Sequence, residues 1–373
     1  MKVKIHTLFQ YLLDTTEAEP EAFIGFSLSE PPRLGEFLDA LDPELPLDWN
    51  QKSFRGLPRL RERVLENTDL ADACHPDDVL ITAGTAEANY LAFMQLVQPG
   101  DEVVTERPGW PQAGVLADAV GAKLKLIDRD EALGWSLPLD AVEAAVTDRT
   151  RMIFLTNPNN PTGKLMPRDE LERLVKIAER VGAWLLVDEV YAGLEWEGER
   201  APSIAGMYER GITTGSVSKA LGMQGLRTGW MICRDPDLIW DAIVLRENSS
   251  EIMNILGETI AEIALRPERY KAKIQSARAA GSQTLNHLDQ FVAHQPRLNW
   301  VKPEAGLIGL ARLTGIDGDT FAKRLLAEPY RTFLLPGSSY EMPNHIRLGV
   351  GGGTATNLDK GLDRMSKLLM ELS

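Results

Sequence analysis

The sequence predicts an α/β protein with a mostly parallel central sheet covered by helices on both faces, together with a smaller α+β domain. Between about residues 79 and 233, short apolar runs alternate with helical patterns, which is typical of a parallel sheet. After Asp235 the alternation stops, and long helical patterns precede a few short strand candidates. At 373 residues the chain exceeds a usual single core, so two domains are expected.

The first residues read as an arm, and its apolar residues recur at helical spacing: Leu8, Phe9, Leu12 and Leu13. A proline turn follows at Pro31 and Pro32, and Pro58 opens the next helix. The expected division of the chain is an N-terminal arm packed on the smaller domain (1–45), the larger domain (46–250) and the smaller domain (251–373).

Short apolar runs in the larger domain are predicted strands: 79–82, 102–105, 123–127, 152–156, 184–187, 213–217 and 229–233. Beyond them we expect helices over 237–265 and 269–291 divided near Pro267, strands at 298–301, 307–310 and 346–349, and a closing helix over 358–372. Ligands of parallel sheets bind beyond the carboxyl ends of the strands. We expect each candidate site residue to lie at such an end.

The composition argues against several classes of function. The formal net charge of −14 at pH 7 opposes binding to nucleic acid or an anionic membrane, because both need basic protein surface. Cys74 and Cys233 form no C-x-x-C pair, so neither a disulfide framework nor a cysteine-based metal site is expected. No apolar run could span a bilayer, and the first residues lack a signal-peptide pattern. A cytoplasmic protein is therefore expected.

Lys219 has the most specific surroundings of any candidate. It follows Ser216 and Ser218 and precedes Arg227 by eight positions. A partly desolvated, electropositive pocket lowers the pKa of a lysine amine enough for it to bond an aldehyde near neutral pH. Hydroxyls and a guanidinium suit a phosphate. Pyridoxal phosphate carries both groups and is the cofactor that this stretch indicates; a solvent-exposed loop lysine is the alternative interpretation.

Two earlier strand ends add candidates for the same cofactor. Gly84-Thr85-Ala86 lies between a strand and the start of a helix, where backbone N–H groups and the helix dipole can hold an anion. Trp110 follows the next strand and could stack on an aromatic ligand. The alternative interpretations are an ordinary turn capped by Thr85 and, for Trp110, an aromatic residue of the core or of an interface.

Polar residues also follow two later strands. Asn160 lies between prolines that restrict the backbone and would hold its amide in one direction. Asp188 ends a strand, where a buried carboxylate needs a cationic partner such as a protonated pyridine nitrogen. Tyr191 could donate its hydroxyl to the phenolate oxygen of the same ring. A plain turn and a strand-end aspartate that caps it are the alternatives.

Together these residues resemble the class I/II pyridoxal-phosphate aminotransferases of fold type I, the aspartate aminotransferase superfamily. The matching stretches are Asn157 to Gly163, Asp188-Glu189-Val190-Tyr191, Ser216-Val217-Ser218-Lys219, Arg227 and His345-Ile346-Arg347-Leu348. The resemblance covers nearly the whole chain. It implies the fold of that family and a homodimer with the active site at the subunit interface.

The resemblance also implies roles around the cofactor ring. Lys219 would hold pyridoxal phosphate covalently and move a proton at the substrate Cα. Asp188 would pair with the pyridine nitrogen, Asn160 and Tyr191 would bind the phenolate oxygen, and Trp110 would stack on the ring. The expected catalytic residues are Lys219, Asp188 and Tyr191.

The resemblance also implies which residues bind the cofactor phosphate and which bind the substrate. The phosphate would be held by the start of the helix at Gly84, Thr85 and Ala86 and by Ser216 and Arg227. The substrate would be bound by Arg347, through its α-carboxylate, and by Asn160. Two positions depart from the family pattern: Gln51 replaces a tyrosine that commonly reaches the neighbouring subunit's phosphate, and Ser29-Glu30-Pro31 replaces Gly-Glu-Pro.

The expected function is transfer of an amino group from an L-amino acid to a 2-oxo acid. A pyridoxal-phosphate lyase or cyclase, acting by β- or γ-elimination or replacement, is the alternative, because the fate of the carbanion depends on the substrate and the pocket. A DNA-binding regulator that keeps the fold is opposed by the acidic charge. No second arginine is placed by motif to bind a side-chain carboxylate, so the donor stays open.

Overall fold

The computed structural model describes residues 2–49, 53–351 and 357–372. Within them the strands are β1 (Ala22–Phe23), β2 (Val79–Thr82), β3 (Glu102–Arg107), β4 (Lys123–Asp128), β5 (Thr150–Thr156), β6 (Trp184–Asp188), β7 (Gly211–Ser216), β8 (Gly229–Ile232), β9 (Leu298–Trp300), β10 (Ile308–Leu313), β11 (Thr332–Phe333), β12 (Leu335–Pro336) and β13 (His345–Gly349). The helices are α1 (Thr7–Asp14), α2 (Pro58–Glu66), α3 (Thr85–Leu96), α4 (Gln112–Val120), α5 (Leu139–Ala145), α6 (Arg168–Glu179), α7 (Ile204–Met207), α8 (Pro236–Glu247), α9 (Ile255–Ala264), α10 (Pro267–Ala293), α11 (Gly318–Leu326) and α12 (Leu358–Glu371).

The largest sheet has the strand order β2-β8-β7-β6-β5-β3-β4. Successive residues of its central strands point into two different cores, because side chains alternate along a strand. In β5, Met152 and Phe154 pack with α3 and α8, whereas Ile153 and Leu155 pack with α5 and α6 on the opposite face. The predicted α/β class, with helices on both faces of a mostly parallel sheet, is confirmed.

One strand of this sheet runs against the others, and it corrects a prediction. Strands β7, β6, β5, β3 and β4 pair in parallel, but β8 is antiparallel to both β7 and β2. Arg227 therefore precedes the amino end of its strand instead of following a carboxyl end. The reversed direction of β8 still brings Arg227 to the edge where the parallel strands end.

The smaller sheet has the order β12-β13-β10-β9 and is antiparallel. Helices α10, α11 and α12 pack on it around a core that includes Leu288, Phe321 and Met365. Arg347 lies inside β13, so the expectation that every candidate lies at a carboxyl end in the large sheet is wrong for this residue as well.

The N-terminal arm reaches the same region of the molecule. Strand β1 pairs in parallel with β11, and Ile24 is buried in the core of the smaller sheet. Strands β1, β11 and β12, which have two residues each, were not predicted from the sequence. Strands this short leave no pattern in the sequence. The domain boundaries at residues 45 and 250 stay predictions.

The expected helix over residues 237–265 is two helices. Helix α8 ends at Glu247 and α9 begins at Ile255, where the side chain of Asn254 accepts hydrogen bonds from the N–H groups of Leu256 (2.9 Å) and Gly257 (3.1 Å). Asparagine and serine favour such caps over helix interiors. The predicted break at Pro267 is present as the first residue of α10. Among the described residues, no helix has both the length and the apolar character needed to cross a membrane.

Candidate active site

A cavity of about 250 Å³ lies at the edge where the parallel strands end. Its lining includes these residues predicted from sequence: Thr85, Ala86, Trp110, Asn160, Asp188, Tyr191, Ser216, Lys219, Arg227 and Arg347. Gly84 lies directly behind the lining, against the guanidinium of Arg227. The structure therefore brings together residues that are spread over more than two hundred positions of the chain.

Lys219 follows β7 and extends into the cavity, where its Nζ donates a hydrogen bond to Ser27 Oγ at 3.1 Å. Burial, together with the positive charges of Arg347 and Arg227, lowers the pKa of Lys219 to about 7, although the Asp188 carboxylate acts in the opposite direction. A large fraction of this amine is consequently neutral at neutral pH. Only the neutral form is a nucleophile toward an aldehyde.

Asp188 ends β6 and is buried at the bottom of the cavity. Burial raises its pKa to about 6, whereas hydrogen bonds from the Asn89 amide and the Val190 N–H, and the charge of Lys219, lower it. The Asn89 Nδ2 donates to Asp188 Oδ2 at 2.9 Å, and the Val190 N–H donates to Oδ1 at 3.1 Å. These contacts orient the carboxylate so that a cation in the cavity would stabilise its charged form.

Three polar atoms around the cavity are buried without hydrogen-bond partners: Thr85 Oγ1, Asn160 Oδ1 and Tyr191 OH. Ser27 lies close enough to lower the pKa of Tyr191, but the two hydroxyls do not reach hydrogen-bond geometry, and burial raises that pKa to about 12. Unpaired buried polar atoms are rare because each costs about 1–3 kcal/mol. Three that surround one cavity fit a polar ligand such as pyridoxal phosphate.

One end of the cavity has the features of a phosphate site. Helix α3 begins at Thr85, and the first N–H groups of a helix have no carbonyl partner within it. Gly84 has a φ of 91°, and a Cβ at this position would lie 2.6 Å from Nη2 of Arg227. Arg227 is held by a 3.0 Å hydrogen bond from Nη2 to the Ala83 carbonyl. The glycine thus allows the guanidinium to lie against the start of the helix.

Trp110 is held in a defined orientation over the cavity. Its Nε1 donates to Gln112 Oε1 at 3.2 Å, and Gln112 Nε2 donates to the Ala86 carbonyl at 2.8 Å. The ring of His6 packs edge-on against the indole with the ring centroids 5.7 Å apart. An indole fixed in this way offers a face to a planar ligand.

Arg347 enters the cavity from β13 and is 4% exposed. Its Nη2 donates to the Gly25 carbonyl at 2.9 Å, and its Nη1 donates to the Tyr340 hydroxyl. No described carboxylate forms an ion pair with it. A buried guanidinium without an acidic partner favours an anionic ligand, and a carboxylate can accept two of its hydrogen bonds at once.

Four residues that support the site were not predicted from the sequence: Ser27, Asn89, Gln112 and Tyr340. Asn89 is fully buried, accepts a 2.7 Å hydrogen bond from Thr214 Oγ1 and donates to both Asp188 and Gln112. It lies four residues after Thr85 in α3 and so on the same face of that helix. A polar residue at that spacing on a predicted helix was the available signal.

Of the two positions that depart from the family pattern, only the Ser29-Glu30-Pro31 segment lies within the described residues. Gln51 lies outside the described residues. Within the Ser29-Glu30-Pro31 segment, the Ser29 N–H donates to the Lys219 carbonyl at 3.4 Å. A Cβ at Gly222 would lie 2.6 Å from the Glu30 carbonyl oxygen. This segment therefore packs directly on the loop that carries Lys219.

Replacing Asn89 with leucine is expected to raise the pKa of Asp188 further, because the carboxylate loses its amide donor in a buried setting. Losing a hydrogen bond to a buried charged group costs about 1–3 kcal/mol, which corresponds to a roughly 5- to 150-fold loss of turnover near pH 7. The acid limb of the pH–rate profile should move to higher pH. Gln95→Leu, on the surface of the same helix, should leave the profile unchanged. An unaltered acid limb in the Asn89 variant would contradict this role.

Comparison with known families decides the assignment. The model of the family "Aminotransferase class I and II" matches residues 52–365. This chain belongs to that family. Arginine–pyruvate transaminase AruH of Pseudomonas aeruginosa is 29% identical to this aminotransferase over 324 residues, which cover 83% of this chain and 80% of the relative.

Solved structures agree with the family assignment. A PLP-dependent aminotransferase from Streptococcus suis superimposes on this aminotransferase with a TM-score of 0.89 and 27% identity, covering 100% of this chain and 99% of that one. The PLP-dependent cyclase OrfR gives a TM-score of 0.89 at 24% identity, covering 100% and 99%, and shows the fold alone. The predicted fold type and the predicted aminotransferase function are confirmed.

Proposed function

We propose that this aminotransferase uses pyridoxal phosphate to move an amino group from an L-amino acid to a 2-oxo acid. The observation that carries the proposal is the buried Lys219 amine, whose pKa is lowered to about 7. The family match and the PLP-dependent structural relatives support the choice of cofactor. When bound, the cofactor supplies an aldehyde and an electron-withdrawing ring.

Side chains of the cavity would bind the cofactor and the substrate and transfer the proton. With the cofactor bound, Asp188 would face the pyridine nitrogen and favour its protonated form. Tyr191 would donate its hydroxyl, which has no partner among the described residues, to the phenolate oxygen, and Asn160 would donate to the same oxygen through its Nδ2. Arg347 binds the α-carboxylate of the substrate and so orients the Cα–H bond. With cofactor and substrate in place, the Lys219 amine would move the proton at the substrate Cα as a general base and acid.

The proposal is tested with the purified protein. Addition of pyridoxal phosphate should produce visible absorbance, and an L-amino acid should then discharge that absorbance while its 2-oxo acid appears. A 2-oxo acid acceptor should restore the absorbance. A protein that gains no visible absorbance would end the proposal. Ammonia release without any need for an acceptor would instead indicate a lyase.

Replacing Arg347 with alanine is expected to weaken substrate binding by about 2–5 kcal/mol, because the substrate carboxylate would lose a buried charge partner. The measurement is KM for the amino-acid donor, or its Kd where turnover is too slow. Arg312→Ala is the control, since Arg312 lies in the neighbouring strand β10 and pairs with Glu131 at 2.9 Å. An unchanged KM in the Arg347 variant would remove this residue from the substrate site.

We also propose that the chain forms a homodimer. Four large apolar side chains cluster on the described surface: Trp49, Phe54, Trp240 and Val244. Exposed apolar patches of this kind are typical of interfaces between proteins. Light scattering after gel filtration should give twice the chain mass, and Trp240→Glu should shift it toward the monomer. A wild-type protein that stays monomeric at micromolar concentration would contradict the dimer.

A reducing compartment, the cytoplasm, is the proposed location. Cys74 and Cys233 are both free thiols, and burial raises the pKa of each. Thiols with raised pKa values react slowly with oxidants. Fractionation of the source cells, with the protein recovered in the cytosolic fraction, is the direct test.

A further inference from the structure

We infer that the amino-acid donor has an uncharged, apolar side chain. The inference rests on the proposed function and deepens it by naming the substrate class. Two features of the cavity support it. Within one subunit, every charged group of the described lining has a role toward the cofactor or the α-carboxylate, and the lining next to Arg347 includes a group of apolar side chains.

The charged side chains among the described lining residues are Asp188, Lys219, Arg227 and Arg347. In the proposed function, Asp188 faces the pyridine nitrogen and Arg227 faces the phosphate. Lys219 is the covalent and proton-transfer residue, and Arg347 takes the α-carboxylate. Within one subunit, no charge of the described lining is left for a second carboxylate, an ammonium or a guanidinium on the substrate.

Most of the apolar lining residues come from the arm and the smaller sheet. Helix α1 contributes Leu8, Phe9 and Leu12, and Phe26 and Leu335 complete the apolar wall. Phe26 stacks on Phe333 with the ring centroids 4.8 Å apart and an interplanar angle of 15°. These five lining residues, Leu8, Phe9, Leu12, Phe26 and Leu335, are called the apolar wall below.

Strand register places the apolar wall beside the carboxylate-binding residue. Leu335 of β12 is the direct cross-strand partner of Arg347 in β13, and directly paired residues of antiparallel strands project from the same face of the sheet. The α-carboxylate and the side chain of an amino acid leave the same carbon atom. A substrate bound through Arg347 therefore has the apolar wall within reach of its side chain.

Burial decides between substrate classes at such a wall. An apolar side chain gains free energy when it leaves water. A carboxylate or guanidinium placed there would lose its hydration, and none of the five residues of the apolar wall offers it an opposite charge, which opposes binding. Donors such as leucine, methionine or phenylalanine are therefore favoured over glutamate, aspartate, lysine and arginine.

Binding of unreactive acids to the cofactor-loaded protein tests the inference without turnover. Isothermal titration should show at least about tenfold tighter binding of 4-methylpentanoate than of glutarate, two acids of similar length that differ at the far end. Equal affinities, or tighter binding of glutarate, would overturn the apolar class. The donor panel adds a second reading: leucine and phenylalanine should discharge the visible absorbance faster than glutamate or arginine.

The titration and the donor panel distinguish failure of this inference from failure of the proposed function. If no donor discharges the absorbance while 4-methylpentanoate still binds more tightly, transamination fails and the apolar site stands. If glutamate or arginine is the fastest donor, transamination stands and the apolar class is wrong.

Substitutions on α1 test whether the apolar wall is responsible for the preference for apolar acids. Leu12→Arg should weaken 4-methylpentanoate binding by about tenfold or more and strengthen glutarate binding. The milder Leu12→Ala should weaken only 4-methylpentanoate, and serves if the arginine variant does not fold. Leu13→Arg is the matched control, because Leu13 is 61% exposed on the same helix and does not line the cavity. If both Leu12 variants bind the two acids as the wild type does, the apolar wall is not the substrate site.

Discussion

Replacing Lys219 with alanine is expected to abolish covalent attachment of pyridoxal phosphate and to lower turnover by at least roughly 10²–10⁴-fold, the usual contribution of a positioned proton-transfer group. Lys219 is the lysine that lines the described cavity, and no other described lining residue carries a primary amine. Borohydride reduction followed by peptide mapping should label Lys219 in the wild type and no residue in the variant.

The control for this experiment is Lys176→Ala, an exposed lysine on α6. It should keep the label and the activity. A Lys219 variant that retains either the reducible adduct or more than a few per cent of the activity would contradict the assignment.

The lowered pKa of Lys219 gives the same residue a pH signature. An ordinary lysine with a pKa of 10.5 would attach an aldehyde about tenfold faster for each pH unit gained up to that value. Burial and the charges of Arg347 and Arg227 lower the pKa of Lys219 to about 7, so its neutral fraction should rise up to about pH 7 and then level off. Stopped-flow absorbance of cofactor addition to the cofactor-free protein, between pH 5.5 and 9, measures this. A rate that still climbs tenfold per unit above pH 8 would show an unshifted amine.

Replacing Asp188 with asparagine is the second change with a large expected effect. Removing one member of a buried charge pair costs about 3–5 kcal/mol, which corresponds to roughly 10²- to 10⁴-fold in rate. The asparagine keeps the size of the side chain but removes the charge that would hold the pyridine nitrogen protonated. Single-turnover kinetics with an amino-acid donor should reveal the loss, and pyridoxal phosphate should dissociate faster on dialysis.

The neighbouring carboxylate provides a matched control for Asp188. Burial raises the pKa of Glu189 to about 7, against the effect of Arg200 and several hydrogen bonds. Its oxygens accept hydrogen bonds from Ser203 Oγ at 2.6 Å and Thr213 Oγ1 at 2.9 Å, and it does not line the cavity. Glu189→Gln should lower stability and leave single-turnover rates near wild type. Equal rate losses in the two variants would mean that Asp188 acts only through folding.

Much of this protein could be predicted from sequence because the relevant patterns are local. Each strand of the large sheet begins and ends within two residues of its predicted position, since a buried strand is a short apolar run bounded by turn residues. The prolines around Asn160 and the small residues around Lys219 likewise mark loops that directly follow strands. These local features were sufficient to nominate most of the charged and polar residues that line the cavity, but not its apolar residues.

Other features depend on which segments pair in space, and no local pattern contains that information. The antiparallel direction of β8 places Arg227 at the start of a strand yet beside Gly84. Asn89 looked like one residue of an apolar helix, and only the packing of α3 on the sheet brings its amide to Asp188.

By itself, the sequence determined the α/β class, the order of the strands along the chain and the identities of the residues that surround Lys219, because apolar periodicity and turn chemistry act over a few residues. The tertiary structure decided what those residues face. It closes the cavity with α1, from the far end of the chain, and it pairs Leu335 with Arg347 across two short strands. The substrate preference inferred here depends on those distant contacts, since burial and charge pairing exist only after the chain has folded.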